Sequence, residues 1–218
     1  MYFLAIFLGV ILGCTAGYIS CLMRTGSRSL YGLHPFVCQE IFRRNCVWLV
    51  VWGLSFSWIM IFQQKEQQLW MLLLFSVSCF PAQIDSQTGM IPDICLALLW
   101  ISGAVFALCS GNSAVLYGLS CAAALFFMTA VYFLFYGKMG SGDIFFAAGL
   151  SLWMNPEETA VFLFFSFFTG SLWGIFSCMK RRSSLRGSLP FAPFLAGNTW
   201  MSCLYGEKVW SWYGNVFF

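Results

Sequence analysis

Long apolar runs separated by short polar breaks set the pattern of this chain. Eight runs read as membrane helices: Tyr2–Met23, Cys46–Phe62, Gln68–Ile84, Ile94–Ser110, Ala114–Tyr136, Asp143–Met154, Thr159–Met179 and Leu189–Tyr205. A helix needs about 20 apolar residues to cross a bilayer. The run at 143–154 is too short to cross unaided, unless it starts in the preceding loop or continues through Asn155. The first run is too long for the apolar part of a signal peptide and has no basic residue before it. It is read as a retained helix. Its Gly9, Gly13 and Gly17 fall on one face, where small residues let another helix approach. No repeat or low-complexity stretch occurs, and no linker is long enough to divide two domains. The expectation is one all-α transmembrane domain over residues 1–218.

Composition sharpens this reading. Of 218 residues, 60% are hydrophobic and 9% charged, with 25 Phe and 10 Trp. A soluble domain carries about 25% charged residues. A water-soluble enzyme, a disordered tail and a nucleic-acid binder are thereby excluded. The ten cysteines lie mostly inside apolar runs, where Cys packs as a small hydrophobe. No CxxC occurs, and Cys38 and Cys46 alone make a poor zinc site. A single histidine, His34, argues against a His-based metal centre or a Ser–His triad. No metal is expected.

The net charge of +3 says little, but its placement says more. With eight helices, one set of loops holds nine basic residues: Arg24, Arg28, Arg43, Arg44, Lys138, Lys180, Arg181, Arg182 and Arg186. The other set holds two, Lys65 and Lys208. The positive-inside rule makes the first set cytoplasmic and puts both termini outside.

Three aspartates, Asp85, Asp93 and Asp143, are all the chain has, and each falls at a cytoplasmic end of a run. An ionisable residue in or beside a membrane helix is costly and points to function. Asp85 closes the third run, ahead of Gly89, Ile91, Pro92 and Asp93. Asp143 opens the sixth, after Gly137-Lys138-Met139-Gly140-Ser141-Gly142. Gly140 and Gly142 allow backbone angles closed to other residues and the close approach of a helix or extended peptide. Gly89 and Pro92 make a loop and then a fixed turn into the next helix. Two facing carboxylates share a proton, so one can act as base on a water and the other as acid on an amide. The plainer readings are a helix cap for Asp143 and a cap or turn for Asp93. A proton relay is less apt, because no run from the third to the seventh carries a carboxylate at mid-span.

These residues resemble the type IV prepilin peptidases, polytopic aspartic proteases of the bacterial inner membrane. The resemblance rests on Gly140-x-Gly142-Asp143, on Asp85 followed by Ile91-Pro92-Asp93, and on the Pro190-Phe191-Ala192-Pro193 element that opens the last run. It covers about residues 80–197. It implies a GxGD-type architecture with Asp85 and Asp143 catalytic. Gly89, Pro92, Asp93, Gly137, Gly140, Gly142, Pro190 and Pro193 would support the motifs. The implied substrate is a prepilin or pseudopilin, an apolar helix with a short basic leader cut at the cytoplasmic boundary. No cofactor is implied for cleavage.

Longer family members carry a cytoplasmic loop with two CxxC pairs, which goes with N-methylation by S-adenosylmethionine. The loop from Arg24 to Asn45 has Cys38 alone. This argues against methylation, so S-adenosylmethionine is expected only if that activity is kept. Other readings stay open: a presenilin-like or signal-peptide-peptidase-like protease, an archaeal preflagellin-type peptidase, or a non-enzymatic membrane carrier or assembly subunit.

Overall fold

The computed structural model describes residues 65–110, 114–135, 139–181 and 190–217, together with 11, 15, 48, 50–55, 58 and 59. Most of the first expected helix, part of the second, and the loop at 24–45 lie outside the described residues. So do residues 136–138 and 182–189, which include Gly137 and Lys138.

The described chain is all-helical. Six helices follow one another: α1 (Lys65–Thr88), α2 (Asp93–Cys109), α3 (Ala114–Leu134), α4 (Ser141–Ser151), α5 (Pro156–Arg181) and α6 (Ala192–Phe217). Three contain stretches long and apolar enough to cross a membrane: Gln67–Thr88, Ala114–Leu134 and Pro156–Ser177. α2 is apolar but shorter.

Helix ends differ from the apolar runs because hydrogen bonding, not hydropathy, sets them. α1 runs four residues past Ile84 to Thr88 and α5 starts three before Thr159, at Pro156. There Glu158 Oε2 accepts the Asn155 amide at 2.9 Å and Thr159 N–H donates to the Asn155 carbonyl at 2.9 Å. This is half of a capping box, with proline at the first helical position where its missing N–H costs nothing. α6 continues well beyond Tyr205, carrying Glu207 and Lys208 within the helix.

The chain forms two compact units, Met1–Met90 and Ile91–Phe218. In the first, α1 runs on through Pro81, which removes one amide from the helical ladder. Beside it, Trp52 is fully buried, meets Phe75 edge-on at 5.2 Å, and donates from Nε1 to Gln83 Oε1 at 3.0 Å.

In the second unit, α4 packs against α2, α3 and α6, and α5 pairs with α6. α4 has 11 residues, of which Ile144 and Phe146–Ser151 are buried. At 1.5 Å per residue it is about 17 Å long, against about 30 Å of bilayer hydrocarbon. It starts in the preceding loop, as one expectation allowed, but stops short of Asn155. Its last turn tightens: Leu152, Trp153 and Met154 donate to the carbonyls three residues back. These bonds satisfy carbonyls that an apolar setting would otherwise leave orphaned.

Glycines mark where helices touch. α5 and α6 run antiparallel, with Gly170 of α5 against Phe191 and Gly206 of α6 against Glu158. A Cβ at Gly206 would lie 3.1 Å from the Glu158 Cα, which is backbone and cannot move aside cheaply. At Gly214, further along α6, a Cβ would meet nothing within 4 Å. Gly206→Ala is therefore expected to destabilise the protein by about 1–3 kcal/mol through overpacking. Gly214→Ala should be neutral or gain up to about 1 kcal/mol of helix propensity. Thermal unfolding in detergent micelles distinguishes the two; equal effects would refute the contact.

Candidate active site

Asp85 lies inside α1, one turn from its end, rather than closing it. It is 5% exposed, next to the fully buried Ile84 and Gln83. The helix ends because Gly89 takes the left-handed conformation, φ +70°, and donates its amide to the Asp85 carbonyl at 2.7 Å. That pairing is the left-handed helix C-cap, in which glycine escapes the Cβ clash. Thr88 helps: its Oγ1 donates to the Ile84 carbonyl at 2.9 Å and accepts the Met90 amide at 3.3 Å. The helix dipole opposes negative charge at this end. Helix stability therefore gives no reason for a buried acid at 85.

Asp143 stands in the opposite relation to its helix. The N-cap of α4 is Gly140, φ −74° and ψ 141°, so Asp143 is the third helical residue and not the cap. Its Oδ2 turns back toward the N-cap, 3.6 Å from where a Gly140 Cβ would be, and its amide donates to the Gly140 carbonyl at 3.2 Å. Here the dipole favours negative charge. Asp93 is the first residue of α2, exposed, with Pro92 as N-cap. Pro92 has φ −66° and ψ 136°, and its carbonyl accepts the Cys95 amide at 3.0 Å.

The second unit brings two motif segments together. A Cβ on Gly142 would sit 3.7 Å from the Ile91 side chain, so the start of α4 lies beside the start of α2. Further along, Gly149 meets Leu99 and Trp100, and Gly103 meets Leu152 and Trp153. α2 and α4 are thus parallel, with Pro92-Asp93 and Gly140–Asp143 at the same end. Asp85 belongs to the other unit. Gly137 lies outside the described residues.

One expectation needs correcting. Gly140 has an ordinary extended φ and Gly142 is helical, so neither uses an angle closed to other residues. Only Gly89 does so among the described glycines. A Cβ at Gly140 or Gly142 would make ordinary contacts of 3.6–3.7 Å. Pro190 and Pro193 frame the start of α6. Phe194 and Leu195 donate to the Phe191 carbonyl at 3.0 and 3.3 Å, and Pro193 occupies the first turn, where no amide is needed. Gln83, two residues before Asp85 and tethered by Trp52, is a neighbour that motif spacing missed. Its one signal was a lone amide in an apolar run. Among the described residues no group of three or more His, Cys, Asp or Glu could hold a metal ion.

Residues 70–175 match the type IV leader peptidase family. The match encloses Asp85, Asp93 and Asp143 but not Pro190 or Pro193. Among similar proteins, one from Neisseria gonorrhoeae is 31% identical over 169 residues, covering 74% of this chain and 54% of the relative. One from Aeromonas salmonicida (strain A449) is 30% identical over 137 residues, 60% and 47% respectively. One from Bacillus subtilis (strain 168) is 32% identical over 95 residues, 44% and 38%. Each is called prepilin leader peptidase/N-methyltransferase. The chain spans about half the length of the first two relatives and less of the third. No solved structure matches it.

The backbone at Gly89 has a measurable consequence. Gly89→Ala should cost about 1–2 kcal/mol, the left-handed penalty of a Cβ, and Gly89→Asn less. Gly142→Ala should unfold at the wild-type temperature. A neutral Gly89→Ala would refute the cap.

Proposed function

We propose that this chain, which matches the type IV leader peptidase family over residues 70–175, is a membrane-embedded aspartic endopeptidase of that family. It removes the short basic leader of a type IV prepilin or pseudopilin at the cytoplasmic face of the bacterial inner membrane. One observation carries the reading: the family match encloses both Asp85 and Asp143, in a chain whose one other aspartate is an exposed first residue of α2.

The chemistry proposed requires the two carboxylates to share one proton. The ionised member takes a proton from a water. The water oxygen then bonds to the scissile carbonyl carbon. The protonated member gives its proton to the amide nitrogen as the C–N bond breaks, and a new amine and a new carboxyl result. This route uses no metal and no cofactor. Gly140 and Gly142 put no side chain on the first turn of α4, which suits an extended substrate backbone lying across it. The substrate's apolar helix remains in the bilayer, so its leader is presented at fixed depth.

The charge count supports the cytoplasmic face, with nine basic residues in one set of loops against two in the other. Arg43, Arg44, Arg181 and Arg182 suit anionic lipid better than a basic leader, which they would repel. N-methylation, the second activity in the relatives' name, is left out of this reading. The loop at 24–45 has Cys38 alone, and S-adenosylmethionine enters only with that activity.

Co-expression with a type IV prepilin in peptidase-deficient cells tests the proposal, with the pilin N-terminus read by mass spectrometry. Wild type should cut after the leader. Asp85→Asn and Asp143→Asn should each leave the precursor uncut while still reaching the membrane, and Asp93→Asn should retain most activity. Normal cutting by either of the first two sinks the aspartate assignment. A product lighter by about 14 Da than the methylated pilin would show that methylation is absent. A well-expressed wild type that cuts neither prepilin nor pseudopilin would favour a carrier or assembly subunit.

A further inference from the structure

The first turn of α4 bears Asp143, and its N-cap is a glycine, which has no side chain to cap with. Its position is set from α2. Trp100 Nε1 donates to the Phe145 carbonyl at 3.0 Å, two residues beyond Asp143. The indole reaches that carbonyl across Gly149, where a Cβ would lie 3.0 Å from its Cδ1 and Nε1 and 2.9 Å from Leu99 Cδ2. A carbonyl has two lone pairs, so this bond coexists with the helix's own.

The same contact is repeated in reverse one turn along. A Cβ at Gly103 of α2 would lie 2.9 Å from the Leu152 Cβ and 3.0 Å from Trp153 Nε1. Trp153 also stacks on Phe106 of α2, centroids 4.8 Å apart and planes 19° from parallel. Each helix therefore carries a glycine notch filled by a tryptophan from the other side. Sliding or turning α4 against α2 would drive a large side chain into backbone.

We propose that Trp100 is a positioning residue for cleavage. Its indole N–H fixes the depth and rotation of the first turn of α4, and with it the Asp143 carboxylate. A ring without a donor would fill the notch; only the N–H ties it to the turn that carries the acid. The inference rests on the reading above that Asp143 does chemistry.

The experiment uses the purified full chain in lipid nanodiscs with a prepilin substrate. Four proteins are compared: wild type, Asp143→Asn, Trp100→Phe and Gly149→Ala. The last crowds the indole away from the carbonyl while keeping every tryptophan. Trp100→Phe should keep the wild-type KM and unfold near the wild-type temperature, yet lose about ten- to a hundredfold in kcat. That is the scale of a misplacement near 1 Å. Gly149→Ala should lose kcat in the same way. A wild-type kcat in Trp100→Phe, with Asp143→Asn inactive, overturns the proposal and leaves the aspartate reading intact. Failure of both Trp100→Phe and Gly149→Ala to fold, or a parallel fall of KM affinity, kcat and stability, also overturns it, because the indole would then be packing alone. Cutting by Asp143→Asn removes the premise, whatever Trp100 does.

Discussion

An 11-residue helix cannot cross a bilayer, and the architecture around α4 follows from that limit. A helix ending at membrane depth has carbonyls that lipid cannot satisfy. The tightened turn through Leu152–Met154 takes up part of that load, and α2, α3 and α6 enclose the rest. Enclosure demands close packing, which is why Gly103, Gly142 and Gly149 sit where α4 meets α2.

The two carboxylates occupy contrasting backbone settings. Asp143 lies in a first helical turn, where the dipole favours its charge. Asp85 lies in a last turn, buried, where the dipole opposes it. The left-handed Gly89 makes the sharp exit after Asp85 possible, and Pro92 pre-sets the entry into α2.

Elsewhere the protein is held as membrane proteins generally are. Lipid gives no hydrophobic drive for helices to associate, so close backbone approach and polar contacts do the work. α5 and α6 show both. Gly170 and Gly206 admit the partner helix, and Asn198 Nδ2 donates to Thr169 Oγ1 at 2.9 Å and to the Phe194 carbonyl at 2.8 Å. The phenylalanines on the outer faces of α3 and α5 are exposed, as residues facing acyl chains should be.

Much of this was legible in the residues. Apolar runs located the described helices to within a turn at most ends, because lipid imposes length and hydropathy on any helix that crosses it. The shortness of the sixth run was plain from the same count, and so was the pairing of aspartates with glycine-rich turns. Helix ends inside polar sequence were not legible. The start at Pro156 depends on Glu158 folding back to the Asn155 amide, and α6 passes through Glu207 and Lys208 with no hydropathic trace. The reason for each glycine was equally hidden: Gly89 needs its φ, Gly103 and Gly149 need the space, and Gly140 and Gly142 need neither in this fold. The sequence by itself determined the helices, their composition and the acids. Only the tertiary structure decided that Trp100 reaches the Phe145 carbonyl 45 residues away, because that contact depends on two helices meeting and no local pattern encodes it.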